Sequence, residues 1–140
     1  MSDTIQLLAR ALISTVFIVF GFQQFTNIAG YTANPNIVKF SGMIGGLLAP
    51  VVIAYLVAAI DLFGGLCVLV GYKVRCASIA LIIFVILTLF IAHNFWVMEG
   101  APRAGNQVNF YKNLAIIGGL LLLYVHGPGR YSLDNRFARS

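Results

Sequence analysis

Four long apolar segments make up most of the sequence. They lie at about residues 5–25, 47–72, 77–97 and 110–125. A helix needs roughly 20 predominantly apolar residues to cross a bilayer. The first three segments have that length, and a polar turn at 106–109 extends the fourth. The sequence therefore predicts an all-α membrane protein, folded as a four-transmembrane-helix bundle.

The composition agrees with this prediction and excludes an ordinary soluble domain. Hydrophobic residues make up 60% of the chain, charged residues only 9%, and the mean hydropathy is +0.92, whereas soluble domains are about one quarter charged. We expect one membrane domain over residues 1–140 with a tail at 126–140, because no connection is long enough for a soluble core. The first segment exceeds the apolar core of a leader peptide and lacks an Ala-x-Ala ending, so we expect it to be retained.

The basic residues predict the orientation of the chain. Four spans place both termini on one side, and cytoplasmic loops have an excess of Lys and Arg. The side of the termini would carry Arg10, Lys73, Arg75, Arg130, Arg136 and Arg139, and the other side Lys39, Arg103 and Lys112. Both termini are therefore predicted to be cytoplasmic, in a multi-pass membrane protein. The net charge of +5 fits this topology and contact with anionic lipid. We expect no nucleic-acid partner, because no basic surface is interleaved with aromatic residues.

One acidic residue, Asp61, interrupts the second apolar segment in AYLVAAIDLFGGLCVLVGYK. Its position predicts a carboxyl group near the middle of the bilayer, where a charge costs about 2.5 to 3.5 kcal/mol on insertion scales. Two hypotheses follow. In the first, Asp61 has a structural role: it forms an ion pair with Arg10 or Lys112 that joins two spans, or it is held as a hydrogen-bonded acid. In the second it has no cationic partner, becomes protonated, and handles protons or binds a ligand.

Further polar residues are predicted to gather at the non-cytoplasmic ends of the spans. The candidate ligand-binding residues there are Gln23, Gln24, Asn94, Trp96, Lys112 and Asn113. His93 lies in the same layer. Because imidazole titrates near neutral pH, His93 is a candidate for handling protons together with Asp61, or for a hydrogen bond to a quinone. A histidine close to Trp96 is also typical of an anchor at the membrane interface.

The sequence contains no recognisable metal or nucleotide motif. Cys67 and Cys76 form no Cys-x-x-Cys and have no metal-ligand spacing, so we expect no metal and assign both to packing. No Gly-x-Gly-x-x-Gly turn is present, so the chain would be at most a membrane subunit of an oxidoreductase. The glycines in LFGGLCVLVG and IIGGLLLLYVHG favour close helix packing, a homodimer, or an opening for a lipid tail or quinone.

The last apolar segment ends in a strong stop signal. Pro128 cannot continue a helix, and Gly127 and Gly129 permit positive φ, so HGPGR is predicted to end the span. Ser132 and Asp134 are predicted to cap a short terminal helix. The basic residues of this tail, Arg130, Arg136 and Arg139, would hold it at the lipid headgroups.

The order of these parts resembles the DoxX family of small bacterial four-helix membrane proteins. The resemblance rests on LLARALISTVFIVFGFQQF, on the acid and glycines of IDLFGGLCVLVGYKVR, and most sharply on GPGRYSLD. Many members have glutamate at the position of Asp61. The resemblance implies a multi-pass protein of the bacterial inner membrane. It also implies a redox-linked membrane component that binds a quinone or a small redox protein partner. Similar four-helix proteins in eukaryotes act as cargo receptors or assembly chaperones, so the alternative function is a non-enzymatic assembly factor or small-solute carrier.

Overall fold

The computed structural model describes residues 2–137, and the chain is predominantly helical over this range. In order, the elements are α1 (Asp3–Thr26), α2 (Ile28–Thr32), α3 (Pro35–Met43), α4 (Pro50–Val70), α5 (Val74–Ile91), a 3₁₀ turn (Phe95–Val97), α6 (Ala101–His126) and α7 (Leu133–Phe137). Helices α1, α4, α5 and α6 are long and apolar enough to cross a membrane. The predicted four-span helical fold is confirmed.

Proline and left-handed residues set helix ends that differ from the predicted boundaries. Helix α4 begins at Pro50, which is favourable in the first turn of a helix, and ends at Val70, where Gly71 follows with a φ of 76°. Helix α5 begins at Val74, after Lys73 has turned the chain with a φ of 45°. Helix α6 begins at Ala101 instead of 110, because the polar residues before the apolar segment continue the same helix.

The four spans alternate in direction, which gives the bundle two distinct ends. The first end, called the loop end below, contains α2, α3 and the 3₁₀ turn. The second, called the tail end, contains the link between α4 and α5 and the described residues nearest both termini. Arg130 Nε lies 3.9 Å from the Asp3 carboxylate at this end. The described parts of both termini therefore lie on one side of the bundle.

Glycines bring α1 and α4 into close contact. A Cβ added to Gly21 would lie 2.5 Å from the Leu62 backbone nitrogen, and one added to Gly65 would lie 2.9 Å from Phe17 Cβ. Small residues at such positions let helix backbones approach in lipid, where dispersion drives association. The main core joins all four spans through Phe17, Val68, Val74, Leu81, Val85, Leu120 and Leu123.

A second cluster packs the two short helices of the loop end over the first half of α4. Its buried residues are Ile37, Ile53 and Ala54. Asn27 Oδ1 caps α2 by accepting from Gly30 N–H at 3.3 Å, and Asn34 Oδ1 caps α3 by accepting from Asn36 N–H at 2.9 Å. This packing fixes α2 beside the last turn of α1 and α3 against α4.

Candidate functional site

Asp61 lies on α4 against the last turns of α1 and is only 4% exposed. Gln24 Nε2 donates to Asp61 Oδ2 at 3.0 Å. The register between the two helices explains this contact, because Gly21 packs on Leu62 and brings the next turn of α1 opposite Asp61. Although Asp61 is near the middle of α4, it is therefore level with the loop end of α1.

Neither predicted cation forms an ion pair with Asp61. Arg10 lies opposite Gly71, ten residues further along α4, or about 15 Å at a rise of 1.5 Å per residue. Its Nη2 donates to the Tyr131 carbonyl at the tail end. Lys112 is exposed on α6, and within residues 2–137 the only ion pair is between Arg130 and Asp3. Within the described residues Asp61 is a hydrogen-bonded acid, with an amide in the place of Arg10 or Lys112.

A polar recess of about 280 Å³ opens beside the Asp61–Gln24 hydrogen bond, at the loop end. Its lining residues are Phe20, Gln23, Gln24, Asn27, Gly30, Tyr31 and Asn34. Most of these side chains are amides, which both donate and accept hydrogen bonds. Gln24 Oε1 is buried and has no hydrogen-bond partner among the described residues. Gln24 therefore lines the recess and also holds a buried, unsatisfied acceptor next to the carboxyl group.

Tyr31, on α2, lines the recess and is influenced by the same carboxyl group. Burial, and to a smaller extent the negative charge of Asp61, raises the pKa of Tyr31 to about 12. The phenol therefore stays protonated at neutral pH and is available as a hydrogen-bond donor. Sequence reasoning missed Asn27, Tyr31 and Asn34. The helix-capping asparagines in TNIAGYTANPN were a signal that this loop folds back as short helices.

His93 and its neighbours form a separate group over the ends of α5 and α6. His93 Nδ1 is 2.9 Å from Asn106 Oδ1, and Asn106 Nδ2 donates to the Pro102 carbonyl at 3.0 Å. Trp96 packs edge-on against Phe90, Phe95 and Phe110, with ring centroids 5.5 to 6.1 Å apart. No hydrogen bond in the described part of the chain joins His93 to Asp61. His93 links the α5–α6 connection to the start of α6.

The predicted single layer of polar residues is thus divided between two places. Gln23 and Gln24 line the recess, while Asn94 and Trp96 lie in the α5–α6 connection. Asn113 is half-buried on α6 beside exposed Lys112. The division arises because α1 meets α6 further toward the tail end, where a Cβ added to Gly119 would lie 2.8 Å from Ile13 Cδ1.

At the tail end, the segment after α6 folds back onto the bundle. Gln6 Nε2 donates to the Gly127 carbonyl at 2.5 Å, and fully buried Arg10 donates to the Tyr131 carbonyl. Asp134 accepts from the backbone N–H groups of Lys73 at 2.8 Å and Val74 at 3.3 Å. This network closes the tail end over Arg10.

One predicted contact of the tail differs in the structure, namely the helix that Asp134 caps. Asp134 caps the start of α5 and not its own helix, whereas Ser132 Oγ accepts from Asn135 N–H at 3.2 Å as predicted for a cap of α7. Arg130 pairs with Asp3. Arg139, one of the predicted headgroup contacts, lies outside the described residues. The lone arginine in apolar α1 and the GPGRYSLD motif were the sequence signals for this network.

Comparison with known proteins gives a consistent family result. The family model described as the SURF4 family matches residues 49–139. The chain is 30% identical over 130 residues to the inner membrane protein YphA of Escherichia coli, covering 93% of this chain and 88% of that protein. It is 34% identical over 134 residues to the inner membrane protein YqjF of the same organism, covering 96% and 92%.

A eukaryotic relative matches over a shorter stretch. The ER-derived vesicles protein ERV29 of Saccharomyces cerevisiae is 32% identical over 83 residues, which is 59% of this chain and 27% of that protein. No solved structure gives a significant match. The prediction of a multi-pass inner-membrane protein is confirmed by the four spans and the two bacterial relatives.

These findings overturn the predicted family and the function that depended on it. The matching model is that of SURF4, so the predicted DoxX membership is wrong. The redox-linked function, with its quinone and oxidoreductase association, came from that resemblance and is wrong with it. The apolar helices and the closing GPGRYSLD motif were too general to distinguish two families of small helical membrane proteins.

Proposed function

Because the chain belongs to the SURF4 family, we propose that it is a non-enzymatic membrane protein that holds a polypeptide partner at the polar recess of its loop end. The names of its relatives describe a place, the bacterial inner membrane or ER-derived vesicles, and none of them describes a reaction. The alternative hypothesis of a non-enzymatic assembly factor is therefore better supported than the hypothesis of a redox-linked component.

The observation that carries the proposal is the chemistry of the recess. A polypeptide backbone offers one N–H donor and one carbonyl acceptor per residue, and amide side chains can pair with both. Gln24 Oε1 is a buried acceptor without a partner, and leaving such a group unpaired costs about 1 to 3 kcal/mol. A backbone N–H that enters the recess would satisfy it once the Gln24 side chain turns toward the recess. The protonated phenol of Tyr31, which also lines the recess, supplies a donor for a backbone carbonyl of the partner.

The closed tail end favours docking over transport. A small-solute carrier needs a site that can be reached from both faces of the membrane. Here Gln6, Arg10 and the folded-back tail close the bundle opposite the recess. Within residues 2–137, the recess reaches down α1 only to Phe20. The arrangement fits a partner that binds from the loop end and leaves by the same route.

Site-specific crosslinking in living cells tests this proposal. We would replace Phe20, which lines the recess, with the photoreactive analogue p-benzoylphenylalanine, because the analogue keeps an aromatic side chain. Phe22 is the matched control, since it lies on the same helix, is 60% exposed and does not line the recess. We expect a polypeptide adduct from position 20 that is absent at position 22 and decreases when Gln24 is replaced by leucine.

Three results would contradict the proposal. The first is lipid adducts alone from both positions. The second is the same set of proteins from positions 20 and 22, because such proteins would be neighbours in the membrane and not occupants of the recess. The third is a polypeptide adduct that persists in full with Gln24→Leu, because the partner would then not depend on the chemistry of the recess.

A further inference from the structure

A second, apolar groove lies between α1 and α6. Its volume is about 150 Å³, and it is lined by Ala9, Ile13, Gly119, Leu122, Leu123 and His126. The small residues Ala9 and Gly119 create the space. An apolar cavity of about this size stays dry and accepts a hydrocarbon as large as benzene. Because both walls belong to membrane spans, lipid chains surround the groove.

The tail end of this groove is basic. His126 closes the groove there, and its Nδ1 lies 2.9 Å from the Leu122 carbonyl. The Arg75 guanidinium reaches the next residue, with Nη2 3.8 Å from the position of a Cβ on Gly127. Arg75 is exposed and has no carboxylate within 4.0 Å among the described residues. The unpaired cation of Arg75 therefore lies at the end of the groove that is nearest the lipid headgroups.

The nearby acids are occupied by other partners. Asp3 lies 3.9 Å from Arg130 Nε, and Asp134 accepts from the N–H groups at the start of α5. Exposed Lys73, Arg130 and Arg136 add positive charge to the same end of the bundle. Basic pockets between transmembrane helices are known to bind anionic lipid headgroups. The charge left without a partner at this end is positive.

We infer that this groove binds one acyl chain of an anionic phospholipid, whose phosphate contacts Arg75 and the exposed edge of His126. A single molecule then satisfies both parts of the site, since it carries an apolar chain into the groove and a negative charge at the end. The hydrocarbon contacts contribute little preference, because bilayer lipid is equally apolar. The groove fixes the chain in place, and the charge selects the lipid.

Two neighbouring glycines of α6 provide a matched test of the groove. A Cβ on Gly119 points at Ile13, whereas one on Gly118 meets nothing within 4 Å. Gly119→Leu should therefore fill the groove, and Gly118→Leu should add the same side chain to an open face. The full chain would be reconstituted into nanodiscs of equal dioleoyl-phosphatidylglycerol and dioleoyl-phosphatidylcholine. Native mass spectrometry would then measure the lipid that each protein retains.

We expect the native chain and Gly118→Leu to retain phosphatidylglycerol in preference to phosphatidylcholine. Arg75→Gln should reduce this preference about fivefold, the equivalent of ~1 kcal/mol for one basic residue near an anionic surface. Gly119→Leu should reduce the retention of phosphatidylglycerol about fivefold or more. If Gly119→Leu does not purify as a homogeneous protein, Ala9→Leu fills the same groove from α1.

The inference would be overturned if both glycine variants retained equal amounts of phosphatidylglycerol, because the lipid would then lie elsewhere on the bundle. Equal retention of both lipids by the native chain would also overturn it. A dimer that forms in the native chain and is lost only in Gly119→Leu would assign the groove to a second copy instead.

Discussion

At the scale of single residues, the central feature is a buried acid whose neighbour is an amide. Asp61 is 4% exposed, and Gln24 Nε2 donates to its carboxyl group at 3.0 Å. A hydrogen bond contributes about 0.5 to 1.5 kcal/mol between neutral groups and about 1.5 to 3 kcal/mol when one group is charged. The same contact leaves Gln24 Oε1 buried without a partner. Gln24 thus holds the acid in place, lines the recess, and keeps an unsatisfied acceptor buried beside it.

Replacing Gln24 by leucine should destabilise the bundle more than the same replacement at Gln23. Gln24→Leu removes the donor from a buried carboxyl group, which costs about 1 to 3 kcal/mol in the free energy of unfolding. Gln23 is exposed and makes no side-chain hydrogen bond to the described residues, so Gln23→Leu should cost less than about 0.5 kcal/mol. Thermal unfolding in detergent micelles measures both.

The loss of stability in Gln24→Leu should also depend on the carboxyl group of Asp61. Asp61→Asn retains an oxygen that can accept from Gln24, so it should be milder than Asp61→Leu. In the double variant Asp61→Leu with Gln24→Leu, both partners are apolar and part of the loss should be recovered. Simple addition of the two single losses would mean that the 3.0 Å contact contributes nothing to stability.

At the scale of elements, the tail matters because it caps a helix to which it is not adjacent in sequence. The Asp134 carboxylate accepts two N–H groups at the start of α5, and the Asp134 N–H donates to the Gly71 carbonyl at 3.0 Å. A negative charge at a helix N-terminus is also favourable for the helix dipole. The turn between α4 and α5 is therefore completed by the end of the chain.

Asp134→Ala should loosen this turn. Loss of a capping side chain costs about 0.5 to 2 kcal/mol, and hydrogen exchange at Lys73 and Val74 should become faster because their N–H groups lose their acceptor. Arg136→Ala is the control, since it removes a tail charge and leaves the cap intact. Hydrogen exchange followed by mass spectrometry would report the change. Unchanged exchange in Asp134→Ala would mean that water replaces the carboxylate at no cost.

The sequence predicts the elements better than their contacts. The apolar segments identified all four spans, and HGPGR ended the last one at His126. The partner of Asp61 could not be chosen from the sequence, because it depends on the register of α1 against α4, which Gly21 sets by packing on Leu62. Periodicity within one helix contains no information about that register. The recess was also missed in part, since α2 and α3 place its remaining residues through tertiary contacts.

At the scale of the whole molecule, the two ends of the bundle differ in openness and charge. The loop end holds an amide-lined recess, and the tail end is closed by its own terminal segment. The described cations at the tail end are Arg10, Lys73, Arg75, Arg130 and Arg136, against Lys39, Arg103 and Lys112 at the loop end. An excess of basic residues favours the cytoplasmic side. We therefore propose that the recess faces away from the cytoplasm.

Thiol labelling tests this orientation with a probe that the chain already has. Cys76 is exposed and lies in the first turn of α5 at the tail end. In spheroplasts, a membrane-impermeant maleimide should leave Cys76 of the Cys67→Ser variant unlabelled until the membrane is opened. Gly105→Cys, made with both native cysteines replaced by serine, should be labelled at once, because Gly105 is exposed at the loop end and a Cβ there meets nothing within 4 Å. The reverse pattern would place the recess in the cytoplasm, where a partner would reach it before crossing the membrane.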